Sequence, residues 1–245
     1  MLLSRDTADA TLDVAGFGTP ADPAEVSRAL GIPLPASLAA AVDRRKLEFL
    51  AGRACALEAL RAVGYRGPGE IAIGRDRTPL WPAGYTGSIS HSQGRAWAAA
   101  APASVIEAIG IDLEHPLAAA AAAEIAPQVL APPDHGLAGR SALGFEDFVT
   151  LVFSAKESVY KCLSPAFGIE PDFQQLAVES IDAPAGSMRV RFLDAAAVAR
   201  AGAVSCELRF RVEAGVVRTA IEWRRDRVGR RAAGYRAAPA ARGSG

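Results

Sequence analysis

The sequence predicts an α+β fold, and three observations carry that prediction. Half of the 245 residues are hydrophobic, enough for one large domain or two packed halves of roughly 110 residues each. Acidic and basic residues balance at 27 each, whereas a disordered chain is poorer in apolar residues and lopsided in charge. The periodicity runs in the order helix, strands, helices, strands and not in alternating βαβ units.

Residues 1–36 are broken by Gly and Pro and read as a loop-rich segment. Ser37 is a capping residue, so a helix is expected from there to about Val63, with Gly64 ending it. Leu38, Val42, Phe49, Leu57 and Leu60 recur at near-helical spacing and give it a buried stripe, while Lys46 and Arg53 share another face. A turn-rich stretch, Gly67–Gly84, leads into strands at Thr86–His91, Arg95–Ala101 and Ala108–Glu114, with a hairpin turn at Ser92-Gln93-Gly94. Leu117–Leu130 reads as an alanine-rich helix interrupted by Pro127, and Ala131–Gly144 as a loop. Phe145–Leu163 is a helix with Phe148, Val152 and Val159 on its apolar face. Segments near 175–181, 188–193, 203–213 and 215–223 alternate as strands do.

Charge and cysteine content exclude several classes. Arg224–Gly245 holds seven arginines and one aspartate, so the body of the chain carries the compensating negative charge and does not read as a nucleic-acid binder. That basic tail is expected to be disordered. No uncharged run reaches the ~18 residues of a membrane span, and Asp6, Asp9 and Asp13 break up any signal-peptide core. Cys55, Cys162 and Cys206 lie far apart, which fits reduced thiols of a cytoplasmic protein and no zinc knuckle.

Three motifs carry chemistry. In Ile109-Gly110-Ile111-Asp112-Leu113-Glu114 strand alternation sends the apolar side chains one way and two carboxylates the other. Adjacent carboxylates repel unless a cation or proton relieves them, and magnesium takes such oxygen ligands together with substrate phosphates. The motif taken alone fits an exposed strand face with two ordinary charges better than a metal site. In Phe153-Ser154-Ala155-Lys156-Glu157-Ser158-Val159-Tyr160-Lys161, Glu157 and Lys161 are one helical turn apart, as a third metal carboxylate with a phosphate contact or as a plain solvent-facing ion pair. Gly87-Ser88-Ile89-Ser90-His91-Ser92 places small hydroxyls around one histidine, suiting a phosphate or a hydrogen-bonded hairpin.

Together these motifs resemble the 4′-phosphopantetheinyl transferases, in particular those of enterobactin synthase component D type. The resemblance begins in the helix Arg45–Leu60 with Glu48-Phe49-Leu50-Ala51-Gly52-Arg53 and passes through Arg77-Thr78-Pro79-Leu80-Trp81-Pro82. It then takes in Gly87–Ser92 and Gly110–Glu114 and ends at Phe153–Lys161. It implies two similar α+β halves related by a pseudo-twofold axis, divided as residues 1–105, 106–223 and a tail 224–245, with coenzyme A between the halves. The implied activity is transfer of the 4′-phosphopantetheine arm of coenzyme A to a serine of an apo carrier protein. Siderophore or other nonribosomal peptide synthesis is the implied setting. By the same resemblance Asp112, Glu114 and Glu157 hold Mg2+, and Glu157 also assists deprotonation of the carrier serine. Ser90 and His91 contact coenzyme A phosphates, Lys161 the pyrophosphate, and Arg45, Lys46, Arg53 and Arg77 the nucleotide end. The expected species is a monomer.

The chain departs from the pattern at Leu57, where many relatives have arginine, and at Phe153, where some have tryptophan. Two other readings stand beside the transferase: a magnesium-dependent phosphohydrolase using the same carboxylates, and a non-catalytic synthase subunit. The Leu117–Gly144 stretch is expected to receive the carrier, through an apolar patch of Ile125, Val129 and Leu130.

Overall fold

A computed structural model describes residues 2–18, 21–74, 78–139, 141, 143–213, 215–225 and 231–232. In chain order it forms β1 (Ala8–Asp13), α1 (Pro23–Leu30), α2 (Asp43–Ala62), β2 (Ala72–Ile73), β3 (Pro79–Leu80), β4 (Tyr85–Ser92) and β5 (Arg95–Pro102). There follow β6 (Ile106–Glu114), α3 (Ala119–Val129), α4 (Pro132–Ala138), α5 (Phe145–Phe167), β7 (Leu176–Asp182) and β8 (Ser187–Phe192). The described chain closes with α6 (Ala195–Ala201), β9 (Ser205–Glu213), β10 (Val216–Arg225) and β11 (Arg231–Ala232).

The fold is α+β, and two parts of it share one connection pattern. In the first, β1 pairs with β5 and β5 with β4, all antiparallel. In the second, β6 pairs with β10 and β10 with β9, again antiparallel, and β8 and β7 extend the sheet. A long helix intervenes each time between the first strand and the closing hairpin, α2 in one part and α5 in the other.

Strand β5 explains how the layers stack. Ala96, Ala98 and Ala100 face α2 and join the core around Leu50, Ala56 and Leu60. Trp97, Ala99 and Ala101 face the opposite way, onto Ile109, Ile111 and Leu113 of β6. Both faces of β5 are therefore buried, and its alanines let two layers approach closely. The hairpin joining β4 to β5 turns through Gln93 (φ 47°) and Gly94 (φ 83°), the two consecutive positive φ values of a type I′ turn, which glycine tolerates at no steric cost.

Five sequence expectations need correction. The first 36 residues are not all loop, because β1 pairs along its length with β5 and α1 is capped by Asp22. The second helix starts at Asp43, not Ser37, and Val42 is 71 % exposed. Pro127 does not interrupt α3, which runs on to Val129; the Gln174 amide reaches the carbonyls of Pro127, Gln128 and Leu130 at its end. Residues 132–138 are α4, not loop. The basic tail, assigned from residue 224, gives Arg224 and Arg225 to β10 and Arg231–Ala232 to β11; its other residues lie outside the described ones.

Gly110 sets the distance between β6 and α5. A Cβ at that position would lie 1.8 Å from the Ser158 carbonyl oxygen and 2.8 Å from the Cys162 backbone nitrogen. Only a glycine lets the helix rest on the strand. Gly110→Ala is therefore expected to lower unfolding free energy by at least the ~1–3 kcal/mol typical of overpacking, read from urea denaturation. An unchanged midpoint would mean that α5 moves away freely.

Candidate active site

The site grows from the contact of β4, β6 and α5. Ser88, Ser90 and Ser92 share one side of β4, as every second residue of a strand must. The backbone N–H groups of Ile111 and Leu113 donate to Ser88 Oγ and Ser90 Oγ, each at 3.2 Å. Ser90 Oγ donates to Asp112 Oδ1 at 2.9 Å and Ser92 Oγ to Glu114 Oε2 at 3.0 Å. The constant spacing of these pairs means that β4 and β6 run parallel, joined by hydroxyls and not by a backbone ladder. The alternating serines were visible in sequence as a phosphate motif; their second role as a seam between strands was not.

Asp112 is 1 % exposed, so the reading as an ordinary exposed strand face fails at this residue. Lys161 Nζ lies 2.5 Å from Asp112 Oδ1, 3.3 Å from Ser90 Oγ and 4.0 Å from Glu157 Oε2. Asp112 Oδ2 is buried and has no hydrogen-bond partner among the described residues. Burial and the neighbouring Asp112 carboxylate push the Glu114 carboxyl up to about 7. Burial also raises Glu157, partly offset by Lys161. Burial pulls the Lys161 ammonium down, but the charges of Asp112, Glu157 and Glu114 outweigh it and leave the group above its ordinary value.

A three-carboxylate region with one bare, buried oxygen fits a hard divalent cation. Among the described residues no three His, Cys, Asp or Glu side chains are grouped so as to hold a metal ion by themselves; a magnesium ion here would need water and substrate phosphates to complete its oxygen shell.

Glu114 gives a pH prediction for the cation-free protein. Its folded-state value near 7 exceeds the ordinary 4.5, so between these the folded form holds a proton that the unfolded form has released. Its contribution to stability falls as pH rises through that window. Thermal melts in a chelator should show this fall, and Glu114→Gln should flatten it. An equal slope in both proteins would assign it to another group.

Beside the carboxylates lies a cavity of ≈ 500 Å³ lined by Arg45, Glu48, Phe49, Arg53, Ile89 and His91, among others. Arg45 Nη1 is 2.9 Å from His91 Nε2. A guanidinium only donates, so Nε2 accepts and the proton of the neutral ring sits on Nδ1, 3.6 Å from Glu48 Oε2. Burial, then Arg45, lowers the His91 imidazole and supports that neutral form. Arg53 is 7 % exposed and stacks over the Phe49 ring at 4.9 Å; burial and Arg45 pull it down to about 10. Its Nε has no partner among the described residues.

The structure thus gathers Ser90, Asp112, Glu114, Glu157 and Lys161 in one cluster and Arg45, Arg53 and His91 around the adjoining cavity. Lys46 is apart, 3.4 Å from the exposed Asp43. Arg77 lies outside the described residues. Leu57 is buried in the core of α2. Sequence reasoning missed Glu48, whose carboxylate also accepts from the Gly94 N–H at 3.3 Å; the glutamate stood in the quoted helix motif without a role. It also missed Ser154, Ser158 and Thr219, whose buried hydroxyls bind one another and tie α5 to β10. The expected carrier patch is corrected too: Val129 and Leu130 are each 2 % exposed and belong to the core.

Family comparisons now add to this geometry. A model for the 4′-phosphopantetheinyl transferase N-terminal domain matches residues 34–101, and one for the 4′-phosphopantetheinyl transferase superfamily matches residues 108–208. The chain belongs to the 4′-phosphopantetheinyl transferase superfamily. It is 39 % identical over 155 residues to enterobactin synthase component D of Salmonella typhi, a match covering 63 % of each protein. It is 40 % identical to the same component of Escherichia coli K12, over 54 % of this chain and 61 % of that protein. It is 38 % identical to 4′-phosphopantetheinyl transferase Svp of Streptomyces mobaraensis, over 64 % of this chain and 63 % of that protein. The chain thus spans a little under two thirds of the relatives it matches. No helix among the described residues is long and apolar enough to cross a membrane.

Proposed function

We propose that this superfamily member transfers the 4′-phosphopantetheine arm of coenzyme A to a serine of an apo carrier protein. The observation that carries the reading is Asp112: a buried carboxylate with one oxygen on Lys161 and the other bare. Family membership supplies the substrate class, and the enterobactin synthase relatives favour a carrier of siderophore synthesis.

The division of labour follows from the side chains. Arg45, Arg53 and His91 bind the nucleotide end, the two arginines meeting its phosphates as cations. Lys161 and Ser90 receive the pyrophosphate, Lys161 turning from Asp112 toward it. Asp112, Glu114 and Glu157 would hold Mg2+, whose charge lowers the repulsion around the attacked phosphate and stabilises the departing bisphosphate. A serine hydroxyl is a weak nucleophile at neutral pH. Glu157, whose carboxyl is raised above its ordinary value by burial, takes the role of accepting its proton. The serine oxygen then bonds to the β-phosphorus, the phosphoanhydride bond breaks, and adenosine 3′,5′-bisphosphate leaves with that electron pair. No covalent enzyme intermediate is required. The division near residue 105 belongs to the same proposal, the first half carrying the nucleotide contacts and the second the carboxylates of β6 and α5.

Release of adenosine 3′,5′-bisphosphate from coenzyme A tests the reading. Release that depends on the apo carrier supports a transferase. Release at the same rate without carrier supports the phosphohydrolase alternative, and no release in either supports a non-catalytic subunit.

A further inference from the structure

We propose that Glu48 is a positioning residue that sets His91 to take up a proton when a phosphate of the coenzyme enters the arginine cavity; this rests on the transferase reading above. A carboxylate stands where phosphates are to bind. Glu48 lines that cavity with Arg45, Arg53 and His91, and like charges in one site repel. It is 6 % exposed, so solvent does little to screen it. A negative side chain so placed weakens phosphate binding unless a positive charge answers it.

The neighbouring arginines do not supply that charge. Arg44 Nε lies 3.8 Å from Glu48 Oε1, but its side chain is 75 % exposed, and such a pair contributes little. Arg45 is turned away onto His91 Nε2 at 2.9 Å. The carboxylate is fixed through Oε1, which accepts the Gly94 N–H of the β4–β5 turn at 3.3 Å. Its Oε2 faces His91 Nδ1 at 3.6 Å, a charge contact beyond hydrogen-bond length. Arg45 and Glu48 are three residues apart on α2 and so share a face. The ring of His91 stands between them with one nitrogen toward each.

With Arg45 donating to Nε2, the ring is neutral and offers a phosphate no free donor. A phosphate is the stronger acceptor for a guanidinium and draws Arg45 to itself. Nε2 is then left beside an anion, which it can meet only as an N–H donor. A proton from solvent binds Nε2 while Nδ1 keeps its own. The imidazolium then donates to the phosphate on one side and toward Glu48 on the other. The groups facing the ring set this balance. Burial, then Arg45, hold the imidazole below its ordinary value, and Glu48 opposes them. Lys161 of α5 adds to the lowering and Asp112 of β6 to the opposition. Arrival of the phosphate pairs the charge of Arg45 and adds an anion, and both changes favour the charged ring.

Calorimetry of coenzyme A binding in a chelator tests this at about pH 7.5, where the ligand's phosphates, with a second pKa of about 6, are already ionised. Titrations in two buffers of different ionisation enthalpy give the protons taken up per ligand bound. The unaltered protein is expected to take up about half a proton or more beyond the number for Glu48→Gln. Its affinity should fall by up to about tenfold per pH unit above that point, and less steeply in the variant. Glutamine keeps an acceptor for the Gly94 N–H, so a Glu48 that merely anchors the turn would leave the uptake unchanged. His91→Gln, whose amide faces a phosphate without titrating, should lose the same uptake and serves if Glu48→Gln fails to fold. Equal uptake in the unaltered protein and Glu48→Gln overturns the role of Glu48, and uptake that survives His91→Gln overturns the choice of group. Failure of the unaltered protein to bind coenzyme A would overturn the transferase reading itself, a distinguishable result.

Discussion

Asp112→Asn is expected to lower transfer by a factor of at least about 10²–10³, the scale of losing a preorganised electrostatic contact in a transition state, while the protein stays folded. The amide keeps an oxygen where Lys161 and Ser90 meet Oδ1. It replaces the bare Oδ2 by an NH2 group, which cannot ligate a cation. The substitution therefore removes the proposed metal contact and the negative charge paired with Lys161, while keeping a hydrogen-bond acceptor beside it. Asp112→Ala is a poorer test. Alanine strips Lys161 of its 2.5 Å partner. Steady-state transfer across a magnesium titration, beside a urea melt, separates the two effects. Near-normal turnover of folded Asp112→Asn at ordinary magnesium would remove Asp112 from the site.

Lys156→Met is expected to cost about 3–5 kcal/mol of stability, the range for breaking a buried ion pair by deleting one partner. Lys156 and Asp134 are both 0 % exposed. The ammonium donates to Asp134 Oδ2 at 2.7 Å and to the carbonyls of Val129 at 2.7 Å and Phe173 at 2.9 Å, which occupies its three protons. Asp134 also accepts from the N–H groups of Ala131 at 2.9 Å and Val178 at 2.7 Å. One pair thus ties α5 to the end of α3, to α4 and to β7. The double variant with Asp134→Asn should lose less than the sum of the single variants, because the uncompensated carboxylate is gone. Additive losses in urea denaturation would mean that the pair is not coupled.

The legible and hidden parts of this molecule differ in the range of their causes. Strands β4, β5 and β6, their hairpin and helix α5 were readable because period and turn chemistry are local. So was the grouping of Asp112 and Glu114 on one side of a strand, since alternation alone dictates it. Strand β1 was hidden because Asp9 and Asp13 look like loop residues. Their partners lie far along the chain, Trp97 Nε1 donating to Asp9 at 2.8 Å and Arg95 pairing with Asp13. Helix α4 was hidden by Pro132 and Pro133, which read as a break yet suit a first helical turn. Lys156 stood inside a quoted motif, but its partner is 22 residues away on another element, and nothing local announces it. The stacking of Arg53 over Phe49 was missed, because the sequence reading put the two on different faces of the helix although their four-residue spacing makes them neighbours. The apolar residues Val129 and Leu130 read as a surface patch because an alanine-rich helix gives no contrast between its faces.

Loading of carrier proteins by this chain is read from the intact mass of a purified apo carrier after incubation with the protein, coenzyme A and Mg2+. The carrier is expected to gain the mass of one phosphopantetheine arm on its serine. The gain is expected to be lost in a chelator and strongly slowed in Asp112→Asn. A siderophore-type carrier whose mass stays unchanged, with the protein folded and coenzyme A bound, would contradict it.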